Sequence, residues 1–157
     1  MRQSISCKIK LAVSLFFLLT ASIVTAQQIR EVPVHNLRDV SIATYDKYGP
    51  VIYYNPHALK MLGPQISEFV RAHEYAHHLM KHMQREKQSD QEMNRTELRR
   101  SFELEADCHA AKRISREAAM AAAENFSRVL GFKRPDSVHP TGNERAAMIR
   151  ECAGITS

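Results

Sequence analysis

Beyond residue 63 the apolar positions repeat at helical spacing. Ile66, Phe69, Val70, Leu79, Met80 and Met83 fall on one side of a helix that the pattern carries from Pro64 to about Lys87. Pro64 suits its N-terminus, where a missing N–H costs nothing. A second helix is predicted over Arg95–Arg113, with Leu98, Phe102, Leu104, Ala106 and Ala110 inward. A third runs from Ser115, as N-cap, to Leu130, with Gly131 as terminator. A last short helix covers Asn143–Cys152, and Pro135–Pro140 is irregular.

Ahead of these helices the pattern changes. Asp39–Thr44 (DVSIAT) and Pro50–Asn55 (PVIYYN) are short and rich in Val, Ile and Tyr, with a turn at Tyr45–Gly49 between them. They read as a β-hairpin or two neighbouring strands. His57–Leu62 is expected to make one helical turn, while the polar stretches Gln27–Asn36 and Ser89–Asn94 read as loose chain. The expected class is α+β, mostly helical with a small sheet.

The first 26 residues change the picture of where this fold sits. Arg2, Lys8 and Lys10 precede an apolar run, Leu11–Val24, that ends in small residues at Val24-Thr25-Ala26. This is the pattern of a secretory signal peptide. Lys10 and Gln27 enclose 16 uncharged residues, short of the ~20 that a spanning helix needs. The expected mature chain is 27–157, a single domain in the periplasm or outside the cell. Three of the 22 Lys and Arg residues lie in the leader, which leaves 19 against 17 Asp and Glu. The mature charge is nearly balanced and mixed in sign along Lys81–Arg116, which argues against a nucleic-acid partner. Cys108 and Cys152 remain after cleavage. An oxidising compartment favours their pairing over two buried thiols.

The candidate chemistry lies at His73-Glu74-Tyr75-Ala76-His77-His78-Leu79-Met80-Lys81-His82. Residues four apart share a helix face, so His73/His77 and His78/His82 each make a pair. Only His73 is followed by Glu, giving His-Glu-x-x-His, in which two imidazoles reach one zinc ion and Glu74 stands beside the open position as a base. The plainer alternative is a solvated, His-rich helix face. A catalytic zinc needs a third protein ligand and room for water. Glu103 and Asp107 are four apart on the second helix, whereas Glu105 is turned about 160° away from Asp107. Glu103 is the natural third ligand, and Asp107 is placed to accept a hydrogen bond from a ligand histidine. His78 is expected to face away from the zinc and His82 to lie at the surface. As a pair they have the spacing of a weak second metal site. His35, His57 and His109 have no partner pattern.

His73-Glu74-x-x-His77, Glu103-x-x-Ala106-Asp107, His139-Pro140 and Glu144-Arg145 together resemble the gluzincin zinc metallopeptidases related to the CAAX prenyl protease and the HtpX family, in their small, soluble, exported form. The match covers about Pro50–Ile149. The membrane spans and extra domains of the larger relatives are missing, which removes their substrates as a guide. The resemblance implies an edge strand above the active-site helix, for which Pro50–Asn55 is in the right place. It also implies His139 near the metal, as a transition-state donor or a displaceable fourth ligand. Read from its surroundings alone, His139 is one histidine in a Pro-rich loop. Arg145 is expected to make a structural salt bridge.

These readings predict a zinc-dependent endopeptidase holding one Zn2+ through His73, His77 and Glu103. Glu74 takes a proton from water at the metal and passes it to the leaving amine. His139, or else Tyr53 or Tyr54, adds a hydrogen bond at the oxyanion. A peptide or protein substrate would pair in extended form with Pro50–Asn55. The competing expectation is a non-catalytic zinc-binding module, chaperone-like or an assembly factor, that holds extended segments. A base at position 74 favours the enzyme.

Overall fold

A computed structural model describes residues 27–89 and 95–155. The leader and most of the predicted polar loop at Ser89–Asn94 lie outside the described residues. Within them the chain is α+β, with a small mixed sheet followed by helices. The strands are β1 (Arg30–Pro33), β2 (Ser41–Asp46) and β3 (Gly49–Tyr54). The helices are α1 (Pro56–Leu62), α2 (Pro64–Leu79), α3 (His82–Gln88), α4 (Arg95–Ala111), α5 (Arg116–Val129) and α6 (Gly142–Cys152). No helix among the described residues is long and apolar enough to cross a membrane.

The predicted hairpin is present as β2–β3, with Asp46 opposite Gly49. Gly49 takes φ 111° at the turn, a value that L side chains rarely adopt. The expected loose segment at Gln27–Asn36 instead contains β1, which pairs in parallel with β3. Glu31 explains why a polar segment is held there. Its carboxylate accepts from Arg71 Nη2 at 2.7 Å and Tyr75 Oη at 2.9 Å, both on α2. The sheet order is therefore β1-β3-β2, and Pro50–Asn55 provides the central strand rather than the edge. Val51 and Ile52 are buried accordingly.

The edge that overlies α2 is β2. Asn55 N–H donates to Val40 O at 2.8 Å, which makes Val40–Asn55 a hydrogen-bonded pair. Alternation along an antiparallel ladder then assigns β3-directed bonds to Ile42, Thr44 and Asp46. The backbone groups of Ser41, Ala43 and Tyr45 point to the open side.

Asn55 caps α1, accepting from the N–H groups of His57 and Ala58. Gly63 separates α1 from α2 at φ 81°. The predicted single helix to Lys87 is broken: α2 ends at Leu79, Lys81 sits in the left-handed region at φ 57°, and α3 restarts at His82. Ser115 caps α5, and Thr141 with Glu144 forms a reciprocal capping box at the start of α6.

Phe69 of α2 is buried among alanines from the later helices, namely Ala110 and Ala111 of α4, Ala119, Ala122 and Ala123 of α5, and Ala146 of α6, with Ile149. Small side chains let these helices approach closely. The disulfide Cys108–Cys152, with Cα atoms 5.2 Å apart, joins α4 to α6. A Cβ on Gly142 would strike the Phe126 carbonyl, so the start of α6 is pressed against the end of α5. That close seat carries Arg145 into the interior, 7% exposed.

Candidate metal centre

His73 and His77 stand one turn apart on α2, and Glu103 comes from α4, which packs against it. The three side chains converge. His73 Nε2 lies 3.0 Å from His77 Nε2 and 3.3 Å from Glu103 Oε2, and His77 Nε2 lies 3.4 Å from Glu103 Oε1. A tetrahedral zinc with bonds of ~2.0–2.1 Å requires donor atoms about 3.3–3.4 Å apart. Each of these separations is near that value, with one Glu103 oxygen facing each histidine. Among the described residues these three form a group that could hold a metal ion. Side-chain spacing along two helices places them, and both segments carry that spacing in the sequence.

The far nitrogen of each imidazole is also engaged. His73 Nδ1 is 2.8 Å from Asp107 Oδ1. Asp107 is fully buried and accepts from Arg145 Nε at 2.8 Å and Nη2 at 2.6 Å. Arg145 makes the structural ion pair expected of it, and Asp107 stands within hydrogen-bond reach of His73. Burial alone would lower the His73 pKa, but hydrogen bonds to the Asp107 and Glu103 carboxylates outweigh it and raise it to about 10. Burial and the neighbouring His73 charge pull His77 down to about 3. Glu103 and Asp107 resist burial and titrate below the usual carboxylate range, because His73 and Arg145 stabilise their anions. Without a metal, then, the two facing nitrogens share one proton, held on His73. A divalent cation in its place would satisfy the lone pairs of both rings and the carboxylate together.

No family model, curated protein or solved structure matches the chain. The assignment of the site therefore rests on its own geometry.

His82 departs from the sequence expectation, and His78 has a partner that the sequence did not mark. His82 is buried, 2% exposed, and not at the surface. Its Nδ1 lies 3.0 Å from His77 Nδ1 and its Nε2 3.3 Å from Glu105 Oε2. The ring stacks on Phe102 with centroids 4.5 Å apart. Glu105, excluded from the metal face as expected, is gripped by Arg85 at 2.6 and 3.2 Å. His78 turns from the metal as expected, but is buried and meets the Val51 carbonyl at 3.1 Å. The break at Lys81 destroys the i,i+4 relation of His78 and His82. Each has other partners, and the weak second metal site is not formed. No periodicity in the sequence marks that break, since Lys81 is not glycine.

Glu74 is 9% exposed and reaches β2. Oε1 accepts from Ser41 Oγ and Oε2 from the Ala43 N–H, both at 2.7 Å. The base candidate is thus tied to the open side of the edge strand. His139 lies at the rim: its Nε2 is 3.7 Å from Glu103 Oε2, and its Nδ1 is 2.8 Å from Asp136 Oδ1. The Tyr53 hydroxyl donates to Asp46 at 3.1 Å.

Proposed function

We propose that this chain is an exported zinc metalloendopeptidase resembling the gluzincins related to the CAAX prenyl protease and HtpX. The observation that carries the reading is the convergence of His73, His77 and Glu103, with the buried Glu74 following His73 on α2 and reaching the β2 edge. Two histidines with one carboxylate make the donor set of catalytic rather than structural zinc sites, which leave a position open. Zinc, when bound, polarises a carbonyl and lowers the pKa of a coordinated water to about 7.

The chain's own residues supply the rest. Glu74 accepts a proton from the attacking water and delivers it to the departing amine. Substrate lies along the open side of β2, where Ser41, Ala43 and Tyr45 offer backbone groups for strand addition. This replaces the docking expected on Pro50–Asn55, whose edges are both occupied. A substrate carbonyl paired with the Ala43 N–H takes that donor from Glu74 and frees one carboxylate oxygen for proton transfer. His139 holds Nδ1 against Asp136 and turns Nε2 toward the site; with its proton on Nδ1, Nε2 would keep a lone pair. That tautomer suits a displaceable fourth ligand, while a doubly protonated ring would donate to developing negative charge. Export agrees with the Cys108–Cys152 disulfide, since such bonds persist in oxidising compartments.

One observation favours the second reading, a non-catalytic zinc module that binds extended segments. Both Glu74 oxygens are already bonded to β2, as in a structural strut. Comparing wild type with Glu74→Gln on unfolded casein separates the two. The enzyme reading predicts equal zinc content and cleavage reduced by at least about 100-fold, in the range of general-base loss. Undiminished cleavage in the variant removes Glu74 as the base. A wild type that loads zinc and binds casein without cutting it supports the binding module.

A further inference from the structure

An uninterrupted α2 would leave His82 about 140° around the axis from His77. The left-handed residue Lys81 instead turns the chain, and α3 brings His82 back against the ligand histidine. A left-handed conformation is costly at a residue that carries a Cβ. Such a turn persists when the surroundings over-determine it, and here they hold His82 from several directions. Phe102 stacks on its face, Arg85 sets its guanidinium 4.5 Å from the Phe102 ring, and Glu105 meets both Arg85 and His82.

The proton assignment is forced from the metal outward. A ligand histidine that coordinates through Nε2 carries its proton on Nδ1. His77 Nδ1–H then donates to His82 Nδ1 at 3.0 Å, which requires that His82 hold its own proton on Nε2. That proton is directed at Glu105 Oε2, 3.3 Å away. One chain of donors and acceptors runs from His77 to a partly exposed carboxylate, with no group left unmatched. It parallels the support of His73 by Asp107 and Arg145, from a different helix.

We propose that His82 is a positioning residue of the metal centre, fixing the ring orientation and tautomer of His77 through its Nδ1 acceptor, with Glu105 fixing His82 in turn. This rests on the metal-binding reading of His73, His77 and Glu103, and not on catalysis. Groups that orient ligand histidines change metal affinity by about 10–100-fold when removed.

The test is zinc affinity by chelator competition, with the visible spectrum of the cobalt-substituted protein as reporter of ligand geometry. The full chain with its disulfide intact is used. His82→Phe keeps a flat ring against Phe102 but has no acceptor for His77. It is expected to weaken zinc binding by about 10–100-fold and alter the cobalt spectrum. His82→Gln supplies one acceptor and one donor, and is expected to restore affinity to within about threefold of wild type. Glu105→Gln, at the partly exposed end of the chain, avoids disturbing the core and is expected to weaken zinc about threefold with a smaller spectral change, as loss of a charged acceptor would. Wild-type affinity and spectrum in His82→Phe, or in Glu105→Gln should His82→Phe not fold, overturn the role of His82 while leaving the metal site standing. A wild-type chain that takes up no zinc overturns the metal reading beneath it.

Discussion

His73 is the residue on which most of the centre's electrostatics turn. In the metal-free protein its pKa stands at about 10, against an ordinary value of 6.5. A raised folded-state pKa contributes stability that is complete below the unfolded value and disappears as pH rises through the folded one. His77 has the opposite sign. Lowered to about 3, it contributes stability that is complete above pH 6.5 and is lost as pH falls toward 3. Urea unfolding of the zinc-free protein is therefore expected to show greatest stability near pH 6.5. A loss of a few kcal/mol is expected between pH 6.5 and 10, since a tenfold change in proton affinity is worth about 1.4 kcal/mol. A flat profile over that interval would show that His73 does not hold the shared proton. On the proposed reading zinc would take the place of that proton, and the zinc-loaded protein is expected to lose the alkaline decline.

At this scale the sequence was most informative where one turn of helix decides the outcome. The four-residue spacing of His73 and His77, and of Glu103 and Asp107, transfers directly into the structure because both pairs lie inside unbroken helices. His82 was unreadable because its position depends on the backbone turn at Lys81. Ser41 was unreadable for another reason: its bond to Glu74 spans 33 residues, and no local pattern encodes it.

Among the elements, the hairpin and the later helices follow from alternation, caps and terminators. Ser115 caps α5 and Gly131 follows it at φ 52°, as their residue types require. The order of strands in the sheet does not follow from such signals. β1 is four residues long, and its place beside β3 is set by Glu31 reaching Arg71 and Tyr75 on α2. Its presence moves Pro50–Asn55 to the centre and leaves β2 to guard the site. The α2–α3 junction offers its own test. Lys81→Gly relieves the left-handed residue of its side-chain clash and is expected to stabilise the protein by about 0.5–1 kcal/mol, read as a higher urea midpoint with an unchanged slope. A lower midpoint would mean that the Lys81 side chain contributes more than its backbone costs.

Across the whole molecule, the site exists because α2 and α4 pack together although some two dozen residues separate their motifs. Phe69 and the alanine-lined faces of α4, α5 and α6 set that packing. The buried Arg145–Asp107 pair and the Cys108–Cys152 bond tie α6 to α4 at two levels. In the chain-entropy view a 44-residue loop closed by a disulfide adds at most ~4 kcal/mol. The fold class was legible from composition and period, since an alanine-rich helical half can bury little except against itself. The convergence of the helices was legible only through candidate chemistry, because two motifs with metal-ligand spacing on separate helices have to meet if they are to share an ion.

Zinc titration by chelator competition, run side by side on wild type and Glu103→Ala, tests that convergence most directly. One zinc per wild-type chain is expected, with an affinity loss of at least about 100-fold in the variant, as removal of one of three protein ligands demands. Equal, tight binding of zinc by Glu103→Ala would contradict the account, since it would mean that the carboxylate delivered by α4 is not part of the centre.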